Sequence, residues 1–225
     1  MIRTIYHGSI SVIEKPEYGL GKRYNDYGLG FYCTEVAEMA KEWGVTKDRD
    51  GYANCYEISM DGLTVLDLNG EMFSVLHWLS VLLENRTFDV TNPLAFEAKE
   101  FLLSRFHVNY QDADVILGNR ADDSYFTFAQ DFINGAISVR QLGNAMKLGK
   151  LGTQFVVKSE KAFQRLRFVG YEKANREEWL ERKENRDREA RRMYLDYERN
   201  RRQRGDLFIG QIMDEEISPD DPRLR

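Results

Sequence analysis

The chain is poor in cysteine, histidine and proline, and it has no long apolar run. Its 225 residues contain two cysteines, Cys33 and Cys55. Two are too few for a disulfide framework and form no ligand cluster, so both read as buried free thiols. The three histidines, His7, His77 and His107, have no ligand spacing among themselves or with the cysteines, and no metal is expected. Four prolines beside 42% hydrophobic and 12% aromatic residues exclude a disordered chain. No stretch approaches the ~20 apolar residues of a membrane span, and no apolar run follows Arg3 as a secretory signal requires. The expectation is a cytoplasmic protein with no membrane partner. Positive charge is not in excess either. The 32 Lys and Arg against 37 Asp and Glu leave a net charge of -5, which excludes a general polyanion binder and leaves room only for a local basic patch.

Short apolar runs alternate with amphipathic segments without a regular repeat, which predicts an α+β fold. Strands are expected over Arg3–His7, Gly30–Cys33, Ala53–Met60, Thr64–Leu68, Asp114–Gly118 and Thr153–Lys158. The second pair of strands in particular reads as flanking the Asp61-Gly62 turn. Helices are expected over Glu35–Trp43 with Thr34 as its cap, Glu71–Asn85, Pro93–Phe106, Thr127–Asn134 and Val139–Leu148, and Ser159 is placed to cap a further turn. Composition changes at Gly170. Between Lys173 and Arg204 stand twelve Lys or Arg and eight Asp or Glu, which predicts a long solvated helix supported by i,i+4 charge pairs. The organisation expected is therefore a domain over 1–170 and a charged helical extension over 171–225. Leu207 to Met213 either packs back on the domain or meets a partner.

The segment with the most chemical content is the first. Tyr6-His7-Gly8-Ser9 ends a strand, and Tyr27-Gly28-Leu29-Gly30-Phe31-Tyr32-Cys33-Thr34 enters the next. Each residue has an ordinary explanation: a lone strand histidine is usually a satisfied structural group, glycines shape turns, and aromatics fill cores. Together they suggest more. A glycine after the histidine lets a flat ligand approach the backbone. Tyr32, with Trp43 eleven residues on across a short helix, has the spacing to clamp a planar ring.

These motifs resemble the nicotinamide-site motifs of ADP-ribosyltransferases of the diphtheria-toxin and poly-ADP-ribose polymerase type, where H-G-[ST] is followed by G-x-G-[IF]-Y. The chain is similar in particular to bacterial proteins of unknown function assigned to that superfamily, often encoded beside a small partner as apparent toxin and antitoxin. The Asp114–Asp123 string D-x-x-x-G-x-x-A-D-D and the segment from Thr153 to Phe168 extend the resemblance over most of the chain to Phe168. It implies a split-sheet fold, NAD as co-substrate, a macromolecular acceptor and a possible small antitoxin.

Carried over, His7 would hold a ribose hydroxyl and the Gly8 backbone the carboxamide. Tyr32 would stack on the nicotinamide, with Trp43 where the family has a second tyrosine. Ser9 would touch the adenosine side, Gly30 belongs to the turn that presents Tyr32, and Arg23 would reach the pyrophosphate, since a guanidinium suits phosphate geometry. The family's late-strand glutamate is replaced by Gln154. A glutamine accepts and donates hydrogen bonds but offers no charge to an oxocarbenium-like centre, and losing such a contact commonly costs ~3 kcal/mol. Asp123 is the carboxylate expected to substitute. Transfer of one ADP-ribose is the leading expectation. The alternatives are an NAD glycohydrolase, an NAD- or ADP-ribose-binding module, and an interaction protein working through its charged helix.

Overall fold

The computed structural model describes residues 1–150 and 152–224, without the side chains of Asp123, Tyr197 and Glu198. Its seven strands are β1 (Ile2–Ser9), β2 (Phe31–Thr34), β3 (Gly51–Ser59), β4 (Val65–Asp67), β5 (Val115–Gly118), β6 (Gln154–Val157) and β7 (Leu166–Ala174). They form one mixed sheet in the order β4-β5-β6-β2-β1-β3-β7. Neighbours are antiparallel except β4 and β5. The fold is α+β.

The helices are α1 (Ala37–Gly44), α2 (Val75–Asn85), α3 (Pro93–Arg105), α4 (Asp123–Ile133), α5 (Val139–Ala145), α6 (Glu160–Phe163), α7 (Arg176–Met193) and α8 (Ile209–Asp214), with a π-helical turn over Tyr194–Arg199 continuing α7. Local chemistry sets several ends. Asn92 caps α3 by accepting from the Leu94 N–H at 2.9 Å, with Pro93 as the first helical residue. Ser159 accepts from the Ala162 N–H and starts α6. Thr34, expected as the cap of α1, instead accepts from Val36 N–H, and the helix begins three residues beyond it.

Helices α2 to α5 pack one face of the sheet around Trp78, Leu79, Leu82, Phe106, Phe128 and Phe132, all sealed from water. The opposite face carries a smaller cluster of Ile5, Cys33, Tyr56, Ile58, Phe155 and Val157, with Phe31, Phe163 and Phe168 at its margin. The Asp61-Gly62 turn exists, but β3 and β4 are not a hairpin. β3 is nine residues long and lies between β1 and β7, whereas the three-residue β4 forms the far edge on β5. Burial explains the separation: alternate side chains of β3 are buried and its backbone has a neighbour on each side, while Val65 on β4 stays 41% exposed.

Two expectations about the C-terminal third require correction. The boundary at Gly170 falls inside β7, which runs through it in register with β3. The charged helix is not merely solvated, because Trp179, Ala190 and Tyr194 on α7 and its π-helical continuation are buried, and Ala190 and Tyr194 join the main core together with Leu207, Ile209 and Ile212. The segment after 207 packs back on the domain. The arginines of α7 lie mostly on its outer side, with α1 and α4 beneath. Among the described residues, no helix is long and apolar enough to cross a membrane.

Candidate functional site

Strands β1 and β2 share only the register pair Tyr6↔Thr34. Beyond it β1 continues along β3 to Ser9, while β2 turns away towards Gly30, and the two part. The His7 ring spans the parting. Its Nδ1 lies 2.7 Å from the Tyr32 carbonyl. A carbonyl only accepts, so Nδ1 carries the proton and Nε2 presents a lone pair. The ring stacks on Phe31, with centroids 4.3 Å apart. Burial lowers the His7 pKa, with the Tyr32 hydrogen bond opposing, so the ring is neutral.

Strand alternation puts Gly8 and Tyr32 on the other face, where α1 lies. The space over Gly8 is not open to a ligand: an added Cβ would stand 2.1 Å from Ala40 O and 2.9 Å from Trp43 Cβ. The missing side chain serves the packing of α1, which corrects the expectation that it clears room for a flat molecule. Tyr32 is likewise engaged. Its hydroxyl donates to Gly28 O and accepts from the Tyr27 N–H at 3.1 Å, closing the turn in which Gly28 takes φ +70°. Burial raises its phenol pKa. Gly30 allows β2 to approach β6, since a Cβ there would meet Val156 Cγ1 at 2.7 Å. Lys158 clasps the same turn, donating to Tyr27 O and Leu29 O at 2.7 and 2.6 Å, and burial pulls its pKa down to about 8.

Gln154 opens β6 opposite Thr34 on one side and Gly118 on the other. It is buried, and its Oε1 has no hydrogen-bond partner among the described residues. Two residues past Gly118, Arg120 lays its guanidinium over the Trp43 ring, 3.8 Å from the centroid. The backbone carrying Arg120 is pinned: Asn119 O accepts from Tyr27 OH and Trp78 Nε1–H, and Ala121 N–H donates to Asp26 Oδ2 at 2.9 Å. Asp26 is buried, which raises its pKa against the Ala121 hydrogen bond and the Arg86 charge 2.7 Å away. Desolvation lowers the pKa of Arg120 and is opposed by Asp122 and Asp26.

From α7, Arg186 reaches the same place. Its Nε donates to Glu42 Oε2 at 2.8 Å, one residue before Trp43. Its terminal nitrogens are buried without a hydrogen bond among the described residues, and Nη2 is 3.9 Å from Asp122 Oδ2. Arg120 Nε is 3.8 Å from that same oxygen. The Trp43 Nε1–H is also buried, without a hydrogen-bond partner among the described residues.

Sequence reasoning thus placed Trp43 and Gln154 at the border of one polar cluster, and His7 and Tyr32 at the adjoining strand parting. It did not bring in the rest. Ser9 faces Asn54, whose Nδ2 donates to Ser9 Oγ at 3.0 Å and to the His7 and Ser11 carbonyls. Arg23 is exposed in the loop between β1 and β2. Asp123 opens α4, and its side chain lies outside the described residues. The residues missed were Glu42, Arg120, Asp122 and Arg186 as a group. One signal was available: Trp179, Arg186, Ala190 and Tyr194 follow helical spacing and mark one face of α7. Among the described residues no group of three or more His, Cys, Asp or Glu side chains is placed to hold a metal ion.

Fold and site together define an α+β protein with a buried, charged cluster beside the parting of two central strands. Residues 3–168 match the model of the DUF3990 family, described as a protein of unknown function, and the chain belongs to that family. No curated protein and no solved structure matches it.

Proposed function

We propose that the protein is an NAD-dependent mono-ADP-ribosyltransferase that binds the dinucleotide at the parting of β1 and β2. The observation that carries this reading is the His7 ring held across that parting, with a neutral Nε2 available to accept from a ribose hydroxyl. Trp43 and Gln154 lie on the side of the sheet where the nicotinamide half would sit.

The reaction breaks the bond between the nicotinamide nitrogen and the ribose anomeric carbon. The bond electrons leave with nicotinamide, which departs neutral, and the acceptor's nucleophile bonds to the same carbon and gives up its proton. Orientation supplies much of the acceleration in such a step, with a hydrogen bond from the sugar to Gln154 Oε1 in place of a carboxylate contact. The acceptor is a macromolecule of the cytoplasm, and a small antitoxin is the partner this reading assigns.

A second reading, an NAD- or ADP-ribose-binding module, is favoured by one observation: the buried polar group at the start of β6 is an amide. The deciding experiment incubates purified protein with adenine-labelled NAD, alone and with cell lysate. Nicotinamide release that disappears in His7→Ala, with label passing to a macromolecule, supports transfer. Heat protection by NAD without any release supports the binding module, and neither release nor protection sinks both.

A further inference from the structure

We propose that the Trp43 ring is one wall of a site for a planar cation, that the chain's own Arg120 occupies this site in the closed form, and that α7 locks the closed form through Arg186. This rests on the NAD reading for the natural ligand, a pyridinium bearing a carboxamide, but its physical basis is separate.

The first ground is the stacking itself. A guanidinium is flat and positively charged, and at 3.8 Å from the indole centroid it takes the position in which a pyridinium ring would be held by the same quadrupole. The second is the state of the surrounding polar atoms. Trp43 Nε1 and Gln154 Oε1 are both buried without hydrogen-bond partners among the described residues. Both border the segment from Gly118 to Arg120, since Gln154 is in register with Gly118 and Trp43 touches Arg120. One is a donor and the other an acceptor. Buried polar atoms without partners are rare in folded proteins, and a carboxamide supplies the matching acceptor and donor in one flat group.

The third ground is how the plug is mounted. Asn119 and Ala121 are tied down by Tyr27, Trp78 and Asp26, so the backbone on either side of Arg120 is fixed. Opening then needs only rotation of the Arg120 side chain. Asp122 Oδ2 stands 3.8 Å from Arg120 and 3.9 Å from Arg186, and Arg186 is bound in turn to Glu42 beside Trp43. When α7 lifts or Arg186 is lost, Asp122 loses one of the two guanidiniums beside it, its charge acts more strongly on Arg120, and the Arg120 guanidinium is drawn off the ring. Helix α7 thereby sets access to the site.

The test uses the full chain and the ring-methylated nicotinamide cation, with neutral nicotinamide as the control ligand. Quenching of tryptophan emission reports binding, and Trp43→Phe assigns the signal against Trp78 and Trp179. Arg120→Ala is expected to bind the cation at least tenfold more tightly than wild type, Arg186→Gln several-fold more tightly, and neutral nicotinamide to gain much less. Arg120→Gln, a milder change, serves if the alanine variant does not fold. Unchanged or weaker cation binding in the folded Arg120 variant overturns the proposal, as does an equal gain for the neutral ligand. Tighter cation binding with no NAD binding or cleavage in any variant keeps the plug and removes the NAD reading. NAD cleavage by wild type with cation affinity unmoved by Arg120→Ala does the reverse.

Discussion

Arg186 Nε lies 2.8 Å from Glu42 Oε2, and this pair, with side chains only 11% and 6% exposed, fastens α7 to α1. Removing one partner leaves the other charged and buried, which typically costs about 3–5 kcal/mol, whereas replacing both with apolar groups is often neutral. Glu42→Ala and Arg186→Met should therefore each lower the urea midpoint strongly, and the double variant should lose less than their sum. Strictly additive losses in a double-mutant cycle would show that the pair does not act as a unit.

Chain truncation tests the corrected organisation. Ala190, Tyr194, Leu207, Ile209 and Ile212 belong to the main core, so a chain ending at residue 174 exposes the surfaces they cover. It should fail to give a cooperative thermal transition. A sharp melt for residues 1–174 near the wild-type temperature would restore the separate extension.

Gly8→Ala places a methyl group 2.1 Å from the Ala40 carbonyl. Overpacking of this kind costs roughly 1–3 kcal/mol or more, because α1 must shift from the sheet. Chemical denaturation reads the loss directly, and a variant within about 0.5 kcal/mol of wild type would mean that α1 does not pack as described.

The pH dependence of stability carries the signature of His7. Burial holds its pKa below the ordinary 6.5, so the unfolded chain binds the proton first as pH falls. The contribution is complete above 6.5 and is lost downward through the folded value. His7→Gln should flatten the decline below neutrality, leaving the part due to His77, whose pKa burial also lowers. Parallel stability curves for the two proteins between about pH 7 and about pH 5 would place the His7 ring in water.

Gln154→Glu asks whether β6 begins at the reacting centre. Under the proposed transferase reading a carboxylate there should raise nicotinamide release, by up to roughly a hundredfold if a charge contact worth ~3 kcal/mol is restored. An unchanged rate in a folded variant would move the chemistry away from Gln154.

Much of the fold was legible because its signals are local. Alternation marked β3 and β4, short apolar, aromatic or β-branched runs marked β1, β5 and β6, and the cap at Ser159 marked α6. The strands flanking the Asp61-Gly62 turn were legible but their separation in the sheet was not, because a turn signal specifies a chain reversal, not which strands then pair. β7 was not anticipated, its Arg167, Glu172 and Lys173 breaking the apolar pattern of a strand that is exposed along much of its length. At the candidate site, Trp43 came from motif spacing and Gln154 from the family resemblance, whereas Glu42, Arg120, Asp122 and Arg186 meet only in three dimensions. Gly8 was assigned a ligand because sequence shows that a side chain is missing without showing what fills the space.

The slip in register between Cys55 and Tyr56 of β3 leaves Val169 without a register partner on β3 and accompanies Gly170 at φ +159° on β7, one of the two edge strands. An interrupted border bearing Arg167, Glu172 and Lys173 is a poor template for a stranger's backbone. This nine-residue rim is thereby defended against the ribbon-to-ribbon stacking that begins aggregation.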